Sequence, residues 1–386
     1  MSRVQHVEVS VLPMERPSDV SALRVLLAEE VDARDVIAVI GKSEGTGLGR
    51  DQGRETADAA IRDVFARSLR IEPEAVADRI CIVLSGGTPG VLTPHVAVVS
   101  RRWVPDDPTA GEGREGERQS GQNHKRLVVG AAHSRDILPE DVGRMAHIRT
   151  VADAVRQAMN DAGVSDPGDV HLVLVKAPSL TPEGIAAARG RGRDTVTSDL
   201  GIGPEGAICF SNDASALGVA AALGEVDEAA LDDDVVRSDW SLYSEVAMTS
   251  SGGEKTHAEV LLLANAERAA GSLRIGHQPM TDILDQAAVD GALTNAGLPG
   301  SSPSATSADQ VVYLLAKMII PGSARLRGGR ITLQDDPQGY HVAKAMGGYL
   351  LAATTGHTMS FVSGGERNSH QGPPEGNPLA AIVRLS

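Results

Sequence analysis

The chain has 386 residues, 41% hydrophobic and 23% charged, with a formal net charge of −15 at pH 7. This is a globular composition, long enough for two or three domains. It argues against a basic nucleic-acid-binding stripe, a membrane span of roughly 20 apolar residues and, with only two cysteines (Cys81 and Cys209), a disulfide framework or cysteine-based metal site. The start, MSRVQHVEVSVLPM, lacks the apolar run of a secretory signal, which predicts a cytoplasmic protein. Aromatic residues make up 2%, so the core is aliphatic, and 42 glycines point to many tight turns or backbone-lined sites.

In chain order, the first predicted strand of interest is DVIAVIGKSEG (35–45), which leaves its sheet at Lys42. The following GTGLGR lacks the GxGxxG spacing of a nucleotide loop. Next, RETADAAIRDVFARSL reads as a helix with Arg54 at its start, because apolar residues recur at i, i+3, i+4 and i+7. A second strand, ICIVLSGGTPG, breaks at Ser85-Gly86-Gly87, and HVAVVSRR returns as a third. Residues 105–123 have the composition of a linker, rich in Pro, Gly and charge.

The same order then repeats. DVHLVLVKAPSLT ends at Lys176, NDASALGVAAALGEV is a helix with Asn212 at its start, and SEVAMTSSGGE carries Ser251 before the return strand AEVLLLANAE. This copy is longer, with an acidic insertion, EVDEAALDDDVVRSDW. In the third copy, VVYLLAKMIIPG ends at Lys317, KAMGGYLLAATTG opens near Lys344, TMSFVSGGE carries Ser363, and PLAAIVRLS returns.

The chain therefore reads as three units, 1–104, 124–268 and 269–386, of mixed α/β (α+β) class. Packed about a pseudo-threefold axis, they bring three serines and three lysines to one central site. A lone strand-end lysine is ordinarily solvated, and a lone Ser-Gly-Gly is ordinarily a turn. Three copies of both in one order point to a shared site. Lysines crowded out of water depress one another's basicity, and a neutral lysine can deprotonate a serine. The glycine N–H groups after each serine are candidate oxyanion donors. His95, His257 and His370 follow the three turns at unequal spacing and read as structural or surface residues. A different class of protein, a non-catalytic threefold binder of planar acids, fits the same pattern.

IGKSEGTG, LSGGTPGVLTPH, LVLVKAPSLT, SNDASALGVAAALGE, TSSGGE, RIGHQPM and VSGGE with HQGPPEGNP together resemble the cyclic amide hydrolases, the family of cyanuric acid hydrolase and barbiturase. The resemblance covers nearly the whole chain. It implies ring-opening hydrolysis of a small cyclic amide through an acyl-enzyme, with Ser251 attacking and Lys176 as its base. Ser85 with Gly86, Ser363 with Gly364, and Gly252 are implied to hold ring oxygens, supported by Lys42 and Lys317. The product is a ureido acid, with its decarboxylation left open. The resemblance also implies a homo-oligomer, often a tetramer, with neither nucleic acid nor membrane as partner. An arginine in each unit is the cyanuric acid hydrolase pattern. Arg54, Asn212 and Lys344 at those places resemble the barbiturase branch, since barbiturate lacks cyanurate's threefold symmetry. No cofactor is implied for the chemistry. A structural Mg²⁺ is implied by the family but doubtful in this chain, where Met318 replaces the glutamate expected after the third lysine. Glu366, Gln371 and Gly372 are the remaining candidate ligands.

Overall fold

The computed structural model describes residues 2–45, 52–106, 124–298, 309–333, 336, 339–365 and 368–385. Most of the linker, all but the first residue of GTGLGR, and Glu366 lie outside them.

Each unit is one mixed sheet with helices on its outer face. In the first, β1 (Arg3–Pro13) leads through α1 (Ser21–Glu29) to β2 (Val36–Ser43), and α2 (Gly53–Leu69) leads to β3 (Cys81–Gly86) and β4 (His95–Pro105). The second contains β5 (Arg126–Asp136), α3 (Met145–Ala162), β6 (Val170–Pro178), α4 (Pro182–Gly190), α5 (Ala207–Leu223), β7 (Ala247–Gly252) and β8 (His257–Ala266). After the short β9 (Ala269–Ala270), the third contains β10 (Leu273–His277), α6 (Gln286–Asn295), β11 (Val311–Met318), the ribbon of β12 (Arg325–Leu326) and β13 (Gly329–Arg330), α7 (Tyr340–Thr355), β14 (Phe361–Gly364) and β15 (Leu379–Arg384).

The strand orders are β3-β2-β4-β1, β7-β6-β8-β5 and β14-β11-β15-β10. In each unit the lysine strand lies parallel to the serine strand and antiparallel to the return strand. β1, β5 and β10, with the helices that follow them, are an opening strand and helix of each unit that the motif reading passed over. β9 adds to the first sheet, pairing parallel with β1 at Gln5 and His6.

Side chains alternate between the two faces of a strand, and this alternation builds the centre. Ala38, Ile40, Cys81 and Val83 from the first sheet, Leu172, Leu174 and Met248 from the second, and Tyr313, Leu315 and Phe361 from the third share one buried core. Continuing each period by two residues puts Lys42, Lys176 and Lys317 on that same inner face. The opposite faces pack under helices in three separate cores. Among the described residues, no helix is long and apolar enough to cross a membrane.

The second sheet sits unusually close to its helix because Gly130 has no side chain. A Cβ there would lie 2.0 Å from the Ala158 carbonyl oxygen on α3. Gly130→Ala must push α3 off β5 and is expected to cost about 3 kcal/mol, read as a lower urea midpoint at unchanged slope.

The acidic insertion docks onto the third unit. Asp213 on α5 is fully buried and pairs with the Arg237 guanidinium. The same carboxylate accepts from Ser369 Oγ at 2.5 Å and from the His370 backbone N–H at 3.1 Å. His370 Nε2 accepts the Arg237 N–H at 3.0 Å, so the ring proton sits on Nδ1, 2.5 Å from the Leu242 carbonyl.

Candidate active site

The three lysines occupy matching ends of β2, β6 and β11, and all three are buried. Register pairs Lys42 with Ser85 and Lys317 with Ser363. In the second unit it pairs Lys176 with Ser250, leaving Ser251 opposite Ala177. The structure thus corrects the repeat alignment by one residue. Met248 on β7 belongs to the central core and Ala247 to the helix-side core. By alternation Ser250 faces the centre and Ser251 faces α5, where its hydroxyl lies 3.3 Å from the Ile208 carbonyl.

Lys42 and Ser85 meet directly, with Nζ 2.9 Å from Oγ. Lys42 has no measurable exposure and forms no ion pair among the described residues. Burial pushes its pKa well below the usual lysine value, and Lys344 and Lys317 lower it further. Lys176 instead contacts Glu254 Oε1 at 2.9 Å. Its pKa is also lowered, by burial above all, but the Glu254 charge opposes that shift. Lys317 Nζ donates to the Thr249 carbonyl at 3.0 Å, reaching from the third unit into the second.

Lys344 crosses from the third unit to the first, donating to the Gly86 carbonyl at 2.9 Å. Lys42 Nζ approaches the same oxygen at 3.4 Å. Burial brings Lys344 down to about 7, with Asp336 opposing and Lys317 assisting. Its ammonium lies 3.9 Å from the centre of the Tyr340 ring, a contact that no motif announced.

Two local expectations need correction. Arg54 does open α2, but Asn212 and Lys344 lie more than a turn inside α5 and α7, which begin at Ala207 and Tyr340. Their backbone N–H groups therefore belong to the helix ladder. The second glycines of the outer turns are spent too: Gly87 N–H donates to the Ser43 carbonyl and Gly365 N–H to the Met318 carbonyl, both at 3.0 Å. They tie the turns to the lysine strands and are not free oxyanion donors. Asn212 is buried, its Oδ1 has no hydrogen-bond partner among the described residues, and its carbonyl accepts from Thr249 Oγ1 at 2.8 Å. Ser363 is buried, and its hydroxyl lies 3.5 Å from the Gly364 carbonyl.

A cavity of about 240 Å³ lies where the first and second units meet, lined by Arg54, Ile82, Leu84, Lys176, Glu254 and Lys255. It runs beside the Lys176 arm, one residue along β3 from Ser85. His95 is buried beneath Lys42, with Nε2 2.9 Å from the Tyr313 hydroxyl; burial brings its pKa to about 4, so it is a neutral structural group.

The described residues do not fit a hard cation at the place considered for Mg²⁺. Met318 is buried in the apolar core of the third unit, and a thioether is a poor ligand for such an ion. Gln371 Oε1 accepts the Thr249 N–H at 2.6 Å, and its amide nitrogen donates to Ser369 Oγ. Gly372 donates its N–H to the Ser244 carbonyl.

Comparison with known proteins gives a consistent answer. The family model described as amidohydrolase ring-opening protein matches residues 8–384. A cyclic amide hydrolase of Pseudofrankia inefficax is 49% identical over 99% of this chain and 96% of its own length. A cyanuric acid amidohydrolase of Bradyrhizobium diazoefficiens is 41% identical over the full length of both chains. Barbiturase 1 of a Nocardioides species is 39% identical, covering 98% of this chain and 99% of its own. A solved cyanuric acid hydrolase, described as evolutionary innovation by structural concatenation, superposes with a TM-score of 0.88 at 38% identity, covering 99% of this chain and 100% of its own.

Proposed function

Because the chain belongs to the amidohydrolase ring-opening family, we propose that it hydrolyses a ring C–N bond of a planar cyclic ureide through an acyl-enzyme on Ser85, with Lys42 as the base. The observation that carries this assignment is the 2.9 Å contact between Lys42 Nζ and Ser85 Oγ, with Lys42 buried and in no ion pair among the described residues. This reading differs from the expectation of Ser251 and Lys176. The Ser251 hydroxyl faces the Ile208 carbonyl, and Lys176 is engaged by Glu254.

In the first step neutral Lys42 takes the Ser85 proton and Oγ bonds to a ring carbonyl carbon. The carbonyl oxygen becomes an oxyanion, balanced by the surrounding lysines. The ring C–N bond then breaks, and the leaving nitrogen takes the proton held by Lys42. Lys42 next takes a proton from water, whose oxygen attacks the acyl carbon. Ser85 leaves with that proton, releasing a ring-opened ureido acid. These steps use no metal.

Barbiturate is the first candidate and cyanurate the second. Arg54, Asn212 and Lys344 are not equivalent donors, and a ring with one edge unlike the others suits them better. Identities of 41% to a cyanuric acid amidohydrolase and 39% to a barbiturase do not separate the branches.

The test is incubation with each ring while following the loss of its ultraviolet absorbance. At least one ring is expected to disappear, with kcat rising as pH passes the lowered pKa of Lys42, because only the neutral amine accepts a proton. Calorimetric binding of both rings without absorbance loss overturns hydrolysis in favour of the non-catalytic binder.

A further inference from the structure

Three lysines stand at matching strand ends, so something other than strand position must decide which one loses its proton. We infer that Glu254 takes Lys176 out of this choice: it holds Lys176 as a cation facing the ring, leaving attack to Lys42 and Ser85. This rests on the ring-opening reading above.

The difference between the two lysines lies in their neighbours. Among the described residues, the charged groups acting on Lys42 are the like-charged Lys344 and Lys317. Those acting on Lys176 are Glu254, Arg54 and Lys255, drawn from the β7–β8 turn and the start of α2. Glu259, opposite Lys176 on β8, is paired with Lys255 and not with Lys176. Glu254 is therefore the anion in direct contact with Lys176, and Arg54 and Lys176 in turn hold the Glu254 carboxyl down to about 2. It stays charged across the working pH range.

The backbone is shaped for this contact. A Cβ on Gly252 would fall 2.0 Å from Glu254 Oε2, so glycine at 252 leaves the space in which the carboxylate lies back against the turn beside Lys176. Gly252 thus makes room for an anion, where a role in holding a ring oxygen had been expected. The sequence carries the same asymmetry: the first turn reads SGGT with Thr88, whereas the second and third read SGGE.

A permanent cation on the Lys176 arm binds a ring oxygen without taking part in proton transfer. Glu254 is then a positioning residue acting through Lys176. Glu254→Gln keeps the shape and removes the charge. The charge that raises the Lys176 pKa among the described residues is lost, and the lysine gives up its proton at a lower pH. Ring binding then weakens as pH rises through that new value.

The experiment measures KM and kcat for wild type, Glu254→Gln, Glu254→Asp and Ser85→Ala between about pH 6 and 9. For Glu254→Gln, KM is expected to match wild type at the acid end and to rise about tenfold by the alkaline end, while kcat stays within about threefold. Glu254→Asp, which keeps the charge, is expected to restore a flat KM. A Glu254→Gln KM that follows wild type at every pH, or differs by one constant factor, overturns the inference. So does a collapse of kcat in that variant. Wild-type turnover in Ser85→Ala overturns the assignment to Ser85 instead, whatever Glu254→Gln does.

Discussion

Ser85→Ala is expected to lower kcat by about 10⁴ or more, and Lys42→Ala by a similar factor, with the fold intact by circular dichroism. Nucleophile and base act as one unit, so the double variant should be little worse than either single one. Ser251→Ala should stay within about tenfold of wild type, because its hydroxyl is turned to the Ile208 carbonyl on α5. Ring absorbance under single-turnover conditions separates these cases. Loss of turnover in Ser251→Ala with activity retained in Ser85→Ala would return the attack to the second unit.

The largest expected change in stability comes from Asp213→Ala. Asp213 is completely buried and holds Arg237, Ser369 and the His370 N–H at once. Removing one partner of a buried ion pair leaves the other charged and desolvated, at a cost of about 3–5 kcal/mol. The loss should appear in chemical denaturation. Activity should fall as well, because Ser369 anchors Gln371, and Gln371 holds the Thr249 N–H on β7. Asp213→Asn keeps the shape and the Ser369 contact and is expected to recover part of the stability.

The architecture was legible because three motifs recur in a fixed order, and because the period of two along DVIAVIGK puts its lysine with the inner residues Ala38 and Ile40. One ambiguity misled the alignment. TSSGGE offers two adjacent serines, and a shift of one residue turns a strand side chain to the opposite face. Matching on Ser-Gly-Gly chose Ser251, whereas matching on strand register chooses Ser250. Asn212 and Lys344 were placed at helix starts because the residues before them, AICFS and YHVA, hold no capping signal strong enough to show that α5 and α7 begin earlier. The docking of the acidic insertion was not legible either. It depends on Asp213 meeting residues 369 and 370, a pairing between distant segments that no local pattern encodes.

The crossing contacts of Lys344 with Gly86 and of Lys317 with Thr249 have a consequence for the order of synthesis. The carbonyls they grip are made early and midway along the chain, and the lysines are made late. A nascent chain that has finished only its first two units already carries Ser85 and Lys42. It still lacks the two cations that lower the basicity of Lys42, one of which, Lys344, clasps the serine turn at Gly86. A chain that stops after its second unit is therefore expected to show no turnover, and activity to appear only once the third unit is present.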